Sequence, residues 1–278
     1  MNAEQSRPSI NPHFARRNRR ETELTPPQPV ERPRYAKLPR SPITASPVPH
    51  LTSLYHFEQT GDYGDRSYPG NCGGLLTRDL LRFFQPRNVF DPMSGSGTCR
   101  EVSDELGIPC FSGDIHDGFD AADPAMTERF AAGERFDFVW THPPYWRQKL
   151  YAADARDLSR CPTLDVFLDR YATFIDNCAR LLTPRGRLAI LMGDYCDREI
   201  GFVPLTYHTK RLAFACGLRQ ACCDIVRFGH GASSGSKTYR SSFIPNLHDV
   251  CMVFSRRRAS PNSNKRSTSL LGNWPQID

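Results

Sequence analysis

Between residues 51 and 255, short apolar runs alternate with longer amphipathic ones, and the two periods predict an alternation of strands and helices. Asn88-Val-Phe-Asp91 reads as a short strand. Thr98–Leu106 predicts a helix, with Val102 and Leu106 one turn apart and Gly107 as its stop. Ile108–Ser112 is a second strand, ending at Gly113-Asp114, and Phe136–Trp140 is a third, running into Thr141-His-Pro-Pro. Thr163–Leu182 predicts a long helix with Thr163 as N-cap; Val166, Phe167, Tyr171, Phe174, Ile175, Cys178 and Leu182 share its apolar face. Arg187–Met192 is an apolar strand bounded by Pro184-Arg-Gly186 and Gly193. Pro204–Cys216 is a helix closed by Gly217, and Ala221–Phe228 and Asp249–Phe254 are the last strands. No internal repeat is visible. Repeated strand–helix–strand order predicts an α/β fold with a parallel, doubly wound sheet, whose ligand sits beyond the carboxyl ends of the strands.

Composition limits the class. The chain has 278 residues, 39% apolar and 24% charged, enough for a core of ordinary size. Mean hydropathy is −0.52, and no stretch approaches the ~18 apolar residues of a membrane helix. No apolar segment at the N-terminus predicts a secretory signal. The ten cysteines include no C-x-x-C pair, so free thiols in a reducing cytoplasm are expected, without a structural zinc site or other metal.

Charge and proline separate the ends from the middle. Of the net +6, residues 1–40 carry +5 and residues 255–278 carry +4, leaving −3 for the middle. Ten of the 23 prolines fall in the first 50 residues. Three regions are expected: a disordered basic, Pro-rich arm over 1–50, a folded domain over 51–255 and a disordered basic tail over 256–278.

Two segments carry chemistry. In Asp91-Pro-Met-Ser-Gly-Ser-Gly-Thr98 a strand ends in a Gly-Ser-Gly turn that opens a helix. Gly95 and Gly97 allow close approach of the backbone to a ligand, and the helix start offers free N–H groups. Asp114 ends the next strand, placed to accept both hydroxyls of a ribose. The spacing lacks the lysine of a phosphate loop, and Arg100 stands where a dinucleotide fingerprint has its third glycine, so a nucleoside cofactor with a short zwitterionic group fits better than NAD. The alternative is a structural turn that binds nothing. The second segment is Thr141-His-Pro-Pro-Tyr-Trp146. Its prolines remove two backbone donors and leave carbonyls as unopposed acceptors. With Tyr145 as a flat face, the turn suits a planar ligand bearing an amino group; the alternative packs Tyr145 and Trp146 in the core.

Together these two segments resemble the S-adenosylmethionine-dependent DNA amino-methyltransferases, which modify adenine-N6 or cytosine-N4. Tyr68-Pro-Gly-Asn-Cys72 with the helix Leu75–Phe84 is similar to the family's segment before the cofactor loop. Leu181–Leu188, Gly193-Asp-Tyr195 and Pro245–Phe254 are similar to its later signatures, so the resemblance spans roughly 55–255. It implies a Rossmann-like sheet of seven strands with the last antiparallel. It also implies that Tyr68, Asp91, Pro92, Ser94, Gly95, Ser96, Gly97, Thr98, Asp114 and Ile115 hold S-adenosylmethionine, and that His142, Pro143, Pro144 and Tyr145 hold a base flipped from the stack. The chain departs from the family at His142, where Asp, Asn or Ser is usual. A neutral imidazole can accept from the amine in their place, or turn away and leave the carbonyls to act. No block of ~100 residues is free for target recognition, so either sequence specificity is low or a partner protein supplies it. The expected partner is DNA, with RNA as the alternative because the turn recognises an amine and not a sugar. A protein that keeps the fold and binds nucleic acid without catalysis is a further reading. Arg147, Lys149, Arg227, Lys237, Tyr239 and Arg240, basic residues beside aromatics in loops after strands, are the expected nucleic-acid contacts.

Overall fold

The computed structural model describes residues 39, 43–56, 60–228, 244 and 246–257. The chain divides into two compact units, Met1–Arg40 and Ser41–Asp278, and all of the first except Pro39 lies outside the described residues. Among the described residues the elements run β1 (Leu54–His56), α1 (Leu75–Phe84), β2 (Val89–Asp91), α2 (Thr98–Glu105), β3 (Cys110–Ser112), β4 (Phe136–Thr141), α3 (Leu164–Leu181), β5 (Leu182–Met192), β6 (Tyr195–Asp197), β7 (Gly201–Val203), α4 (Leu205–Ala215), β8 (Leu218–Gln220), β9 (Ile225–Phe228) and β10 (His248–Arg256). No helix among them is long and apolar enough to cross a membrane.

Seven strands pair in the order β1-β9-β10-β5-β4-β2-β3, with β8 added on β10. β2 is parallel to β3 and β4, and β4 to β5. β10 runs against β5, β8 and β9, while β1 is parallel to β9. The last strand is therefore the reversed one, as expected, and it sits inside the sheet between β5 and β9. Side chains along the central strands go alternately to opposite faces, and each face has its own core. Val89, Phe138, Trp140, Leu191 and Val253 meet Leu76, Leu80 and Val102 of α1 and α2. Phe90, Val139, Ile190 and Met252 meet Phe167, Phe174, Leu205 and Leu212 of α3 and α4. Burial on both faces explains why these strands read as continuous apolar runs. It also makes the sheet a doubly wound, Rossmann-like one.

Local chemistry fixes the ends. Thr163 caps α3, its Oγ1 accepting from the Val166 N–H at 3.3 Å. Strand β5 begins at Leu182 and not at Arg187. Phe136 pairs with Leu182 while Phe138 pairs with Arg187, so Pro184-Arg-Gly186 is a bulge within the strand rather than its boundary. The strand expected over 221–228 is shorter, β9 at Ile225–Phe228, and an unexpected strand, β8 at Leu218–Gln220, precedes it. Packing starts before residue 51: Val48 is 2% exposed, and β1 joins the sheet edge. Asp79 Oδ2 lies 2.7 Å from His50 Nε2 and accepts from the Tyr55 hydroxyl at 2.7 Å. At the other end β10 continues to Arg256. All ten cysteines are free, with Cys72, Cys99, Cys161, Cys178 and Cys251 buried and Cys196, Cys222 and Cys223 exposed.

The order places β2 and β4 side by side with their following segments running opposite ways, to β3 and toward β5. That reversal opens a crevice at the carboxyl ends, where ligands sit in open α/β sheets.

Candidate active site

The loop after β2 is folded by its own backbone. The Gly113 N–H donates to the Asp91 carbonyl at 2.9 Å, Ser94 to Gly113 at 3.0 Å and Gly97 to Ser94 at 2.8 Å. Gly95 and Gly97 have φ of 46° and 78°, the left-handed region where a side chain is strained. At Gly95 a Cβ would also come within 3.0 Å of the Tyr68 ring, whereas at Gly97 it would meet nothing, so conformation alone calls for glycine there. Asp114 reaches across from the end of β3. Its Oδ2 accepts from the Gly95 N–H at 2.8 Å, and its Oδ1 accepts from the His116 N–H at 3.0 Å and lies 2.7 Å from His116 Nδ1. Asn71 ties on the segment before α1, its Nδ2 donating to the Tyr63 carbonyl at 2.9 Å and to Ser96 Oγ at 3.2 Å.

The turn after β4 closes the other side. His142 Nε2 is 3.0 Å from the Tyr145 hydroxyl. A Cβ on Gly193, just past β5, would come within 2.7 Å of the Tyr145 ring, so that ring packs flush on backbone. Burial pushes the Tyr145 phenol well above its ordinary value, so it keeps its proton. Trp146 is 1% exposed and donates its indole N–H to the Cys161 carbonyl at 2.9 Å.

Between these loops lies a cleft of about 800 Å³, its open mouth included. Its wall contains Tyr68, Asp91, Pro92, Ser94, Gly95, Ser96, Thr98, Asp114, Ile115, His142 and Pro144, eleven of the fourteen residues that the sequence assigns to cofactor or catalysis. Asp91 is 2% exposed, and burial pushes its carboxyl well above the carboxylate range, with Cys110 adding to the effect. Gly97 shapes the loop without lining the cleft. Pro143 is buried, and Tyr145 stands behind His142 rather than on the wall as an open aromatic plane.

The wall also holds residues that the sequence does not single out as ligands, among them Phe119, Asp120, Tyr151, Asp157 and Leu158. Tyr68 and Tyr151 stack with centroids 6.0 Å apart. Asp157 accepts from the N–H groups of Ala152 at 2.7 Å and Ser159 at 2.8 Å, holding this loop against the cleft. The Asp157-Leu-Ser turn is readable as a local Asp cap; its nearness to Asp114 is not, because they are far apart in sequence.

The expected nucleic-acid contacts need correction at two positions. Arg227 is buried and not at the surface: Nε and Nη2 donate to Asp249 at 2.9 and 2.6 Å, and Nη1 donates to the Cys72 carbonyl at 2.9 Å. A phosphate cannot reach it. Arg147 is committed to Asp197, with Nε at 2.9 Å and Nη2 at 2.8 Å, and Nη2 also reaches Glu199 at 2.6 Å. Lys149 is exposed beside the turn. Lys237, Tyr239 and Arg240 lie outside the described residues.

No family model and no curated protein sequence matches the chain. Among solved structures it is similar to TrmN from Thermus thermophilus, at 18% identity and TM-score 0.41 over 66% of this chain and 49% of that one. It is similar to a candidate DNA modification methylase from the same species, solved with S-adenosyl-L-methionine, at 22% identity and TM-score 0.35 over 51% of this chain and 54% of that one. The third is the CcbJ methyltransferase from Streptomyces caelestis, at 13% identity and TM-score 0.39 over 73% of this chain and 100% of that one. The chain thus spans about half the length of the first two. At these identities and TM-scores, activity has to be argued from the cleft itself.

Proposed function

We propose that this chain transfers a methyl group from S-adenosylmethionine to the exocyclic amine of a nucleic-acid base, adenine-N6 or cytosine-N4 in DNA. The observation that carries the reading is convergence. The glycine loop after β2, Asp114 after β3 and the His142-Pro-Pro turn after β4 form one continuous cleft wall.

The wall suits the cofactor by its own chemistry. A buried Asp91 with a raised carboxyl pKa is relieved by a cationic ligand group, such as the ammonium of a methionine. Asp114 spends three of a carboxylate's about four lone pairs on the Gly95 N–H, the His116 N–H and His116 Nδ1; the remaining one would accept from a ribose hydroxyl. Ile115, Phe119 and Leu158 give apolar cover for an adenine ring. When bound, S-adenosylmethionine supplies an electrophilic methyl on a sulfonium.

The chain's part in the reaction is placement. The prolines of the His142-Pro-Pro turn bring no N–H of their own, and the Pro143 carbonyl is the acceptor for the amine, concentrating electron density on its nitrogen. Tyr145 fixes the His142 ring through its hydroxyl, at the edge of the cleft. The turn and the cleft would position the amine for the methyl, and flipping the base from the stack would cost a few kcal/mol, offset by contacts in the cleft.

The test incubates the full chain with methyl-labelled cofactor and either genomic DNA or total RNA, followed by nucleoside mass spectrometry. N6-methyladenine or N4-methylcytosine in DNA is the expected product. Label in RNA alone moves the substrate to RNA, and label in neither polymer overturns the reading.

A further inference from the structure

Arg147 directly follows a turn that is held from several sides. Pro143 and Pro144 fix two φ angles. Trp146 has φ 45°, a left-handed conformation that a bulky residue keeps only when its surroundings impose it. Its indole is anchored at 2.9 Å on the Cys161 carbonyl. The Arg147 guanidinium lies 4.3 Å from the Trp146 ring centroid and forks onto both oxygens of Asp197. Asp197 also accepts from the N–H groups of Glu199 at 2.9 Å and Ile200 at 3.2 Å, closing the hairpin of β6 and β7. Arg147 therefore joins the turn after β4 to the hairpin after β5, through the fork onto Asp197 and a further contact with Glu199 at 2.6 Å. The same turn carries Tyr145, whose ring packs on Gly193 just past β5.

We infer that Arg147 and Asp197 are positioning residues for the methyl transfer proposed above, an inference that rests on that reading of the cleft. The pair holds the strained turn, so that Tyr145 stays on Gly193 and His142 stays at the cleft wall. A competing role is that Arg147 leaves Asp197 to bind a phosphate. The two roles give opposite signs for Asp197. If Arg147 is a phosphate ligand, removing the Asp197 charge frees it and tightens nucleic-acid binding. If the pair positions the turn, binding is unchanged and the chemical step slows.

The experiment compares the full wild-type chain with Arg147→Gln, Arg147→Lys, Asp197→Asn and the Arg147→Gln/Asp197→Asn double variant. Asn retains an oxygen for the hairpin N–H groups, so the fold is spared. Three quantities are read: the single-turnover rate on a methylatable oligonucleotide, the equilibrium affinities for that oligonucleotide and for S-adenosylmethionine, and amide exchange in peptides covering 141–150. Loss of the pair is expected to slow the single turnover roughly ten- to hundred-fold, the range for about 1 Å of misplacement. Affinities should stay within about two-fold, and exchange of the turn should rise. Lys keeps the charge without the fork and should recover part of the rate. The double variant should be no slower than the slower single one, because both substitutions remove the same ion pair. Tighter oligonucleotide binding by Asp197→Asn, multiplicative rate losses in the double variant, or unchanged exchange alongside an active wild type would each overturn the positioning role. A wild type that methylates no polymer overturns the functional reading instead, and the positioning role with it.

Discussion

A buried carboxyl in the cleft wall weighs on the free protein. Asp91 accepts one N–H, from Met93 at 3.3 Å, and its raised pKa means that the folded chain favours the neutral form. Such a group contributes stability below its unfolded value of about 3.9, and that contribution is lost as pH rises through the folded value. Asn is neutral throughout and keeps the acceptor for Met93. Asp91→Asn should therefore melt higher than wild type near pH 8 and level with it near pH 4, while binding S-adenosylmethionine more weakly. Thermal melts at the two pH values and titration calorimetry check this; undiminished affinity removes Asp91 from the cofactor site. Tyr145 admits a similar separation. Phe keeps the ring on Gly193 and deletes the hydroxyl 3.0 Å from His142. Loss of that hydrogen bond, ~0.5–1.5 kcal/mol, should slow single turnover several-fold; a rate equal to wild type leaves the ring alone as the working part. What the sequence hides at this scale is the distant partner. Arg227 reads as a surface cation because Asp249 and the Cys72 carbonyl, which bury it, stand 22 and 155 residues away.

Among the elements, legibility follows length and burial. α3 is readable to within a residue because its apolar face runs the whole helix and Thr163 marks its start. Strands β2, β4 and β10 are readable because both faces are buried. The hairpin of β6 and β7 is not: each strand has three residues, and Phe202 and Ile200 are exposed rather than alternating into a core. Tyr195 and Val203 anchor it in the core, and Asp197 adds to its stability: Arg147 holds that carboxyl well below the usual range, aided by the Glu199 and Ile200 N–H groups against the opposing effect of burial. A lowered folded value adds stability above the unfolded value of about 3.9, and the gain disappears as pH falls through the folded value. Asp197→Asn should thus be less stable than wild type at pH 7, with the gap closing toward pH 2. Urea unfolding at both ends of that range measures it, and a gap independent of pH would mean that the charge of Asp197 stabilises nothing.

For the molecule as a whole, charge and chemistry are separated along the chain. Residues 41–254 carry a net −3, and cations near the cleft are already engaged: Arg147 with Asp197, Arg156 with Asp154 and Arg170 with Asp120. A negative segment with these three arginines paired is a poor polyanion ligand by itself. Residues 1–40 carry +5 and residues 255–278 carry +4. If nucleic acid is the substrate, most counterion release has to come from those ends, while the cleft sets which atom is methylated. Deleting residues 1–40 should then weaken oligonucleotide binding and flatten log affinity against log salt by roughly 0.9 for each duplex phosphate that is no longer neutralised. S-adenosylmethionine affinity and the identity of the methylated base should not move. Deleting 258–278 should act in the same direction with a smaller change, since fewer cations go with it. The measurement is fluorescence anisotropy of a labelled duplex from about 50 to 200 mM salt, with full-length protein and both truncations. A slope that neither deletion alters would put the phosphate contacts between residues 41 and 257, and Lys149, Lys237 and Arg240 would become the next residues to neutralise.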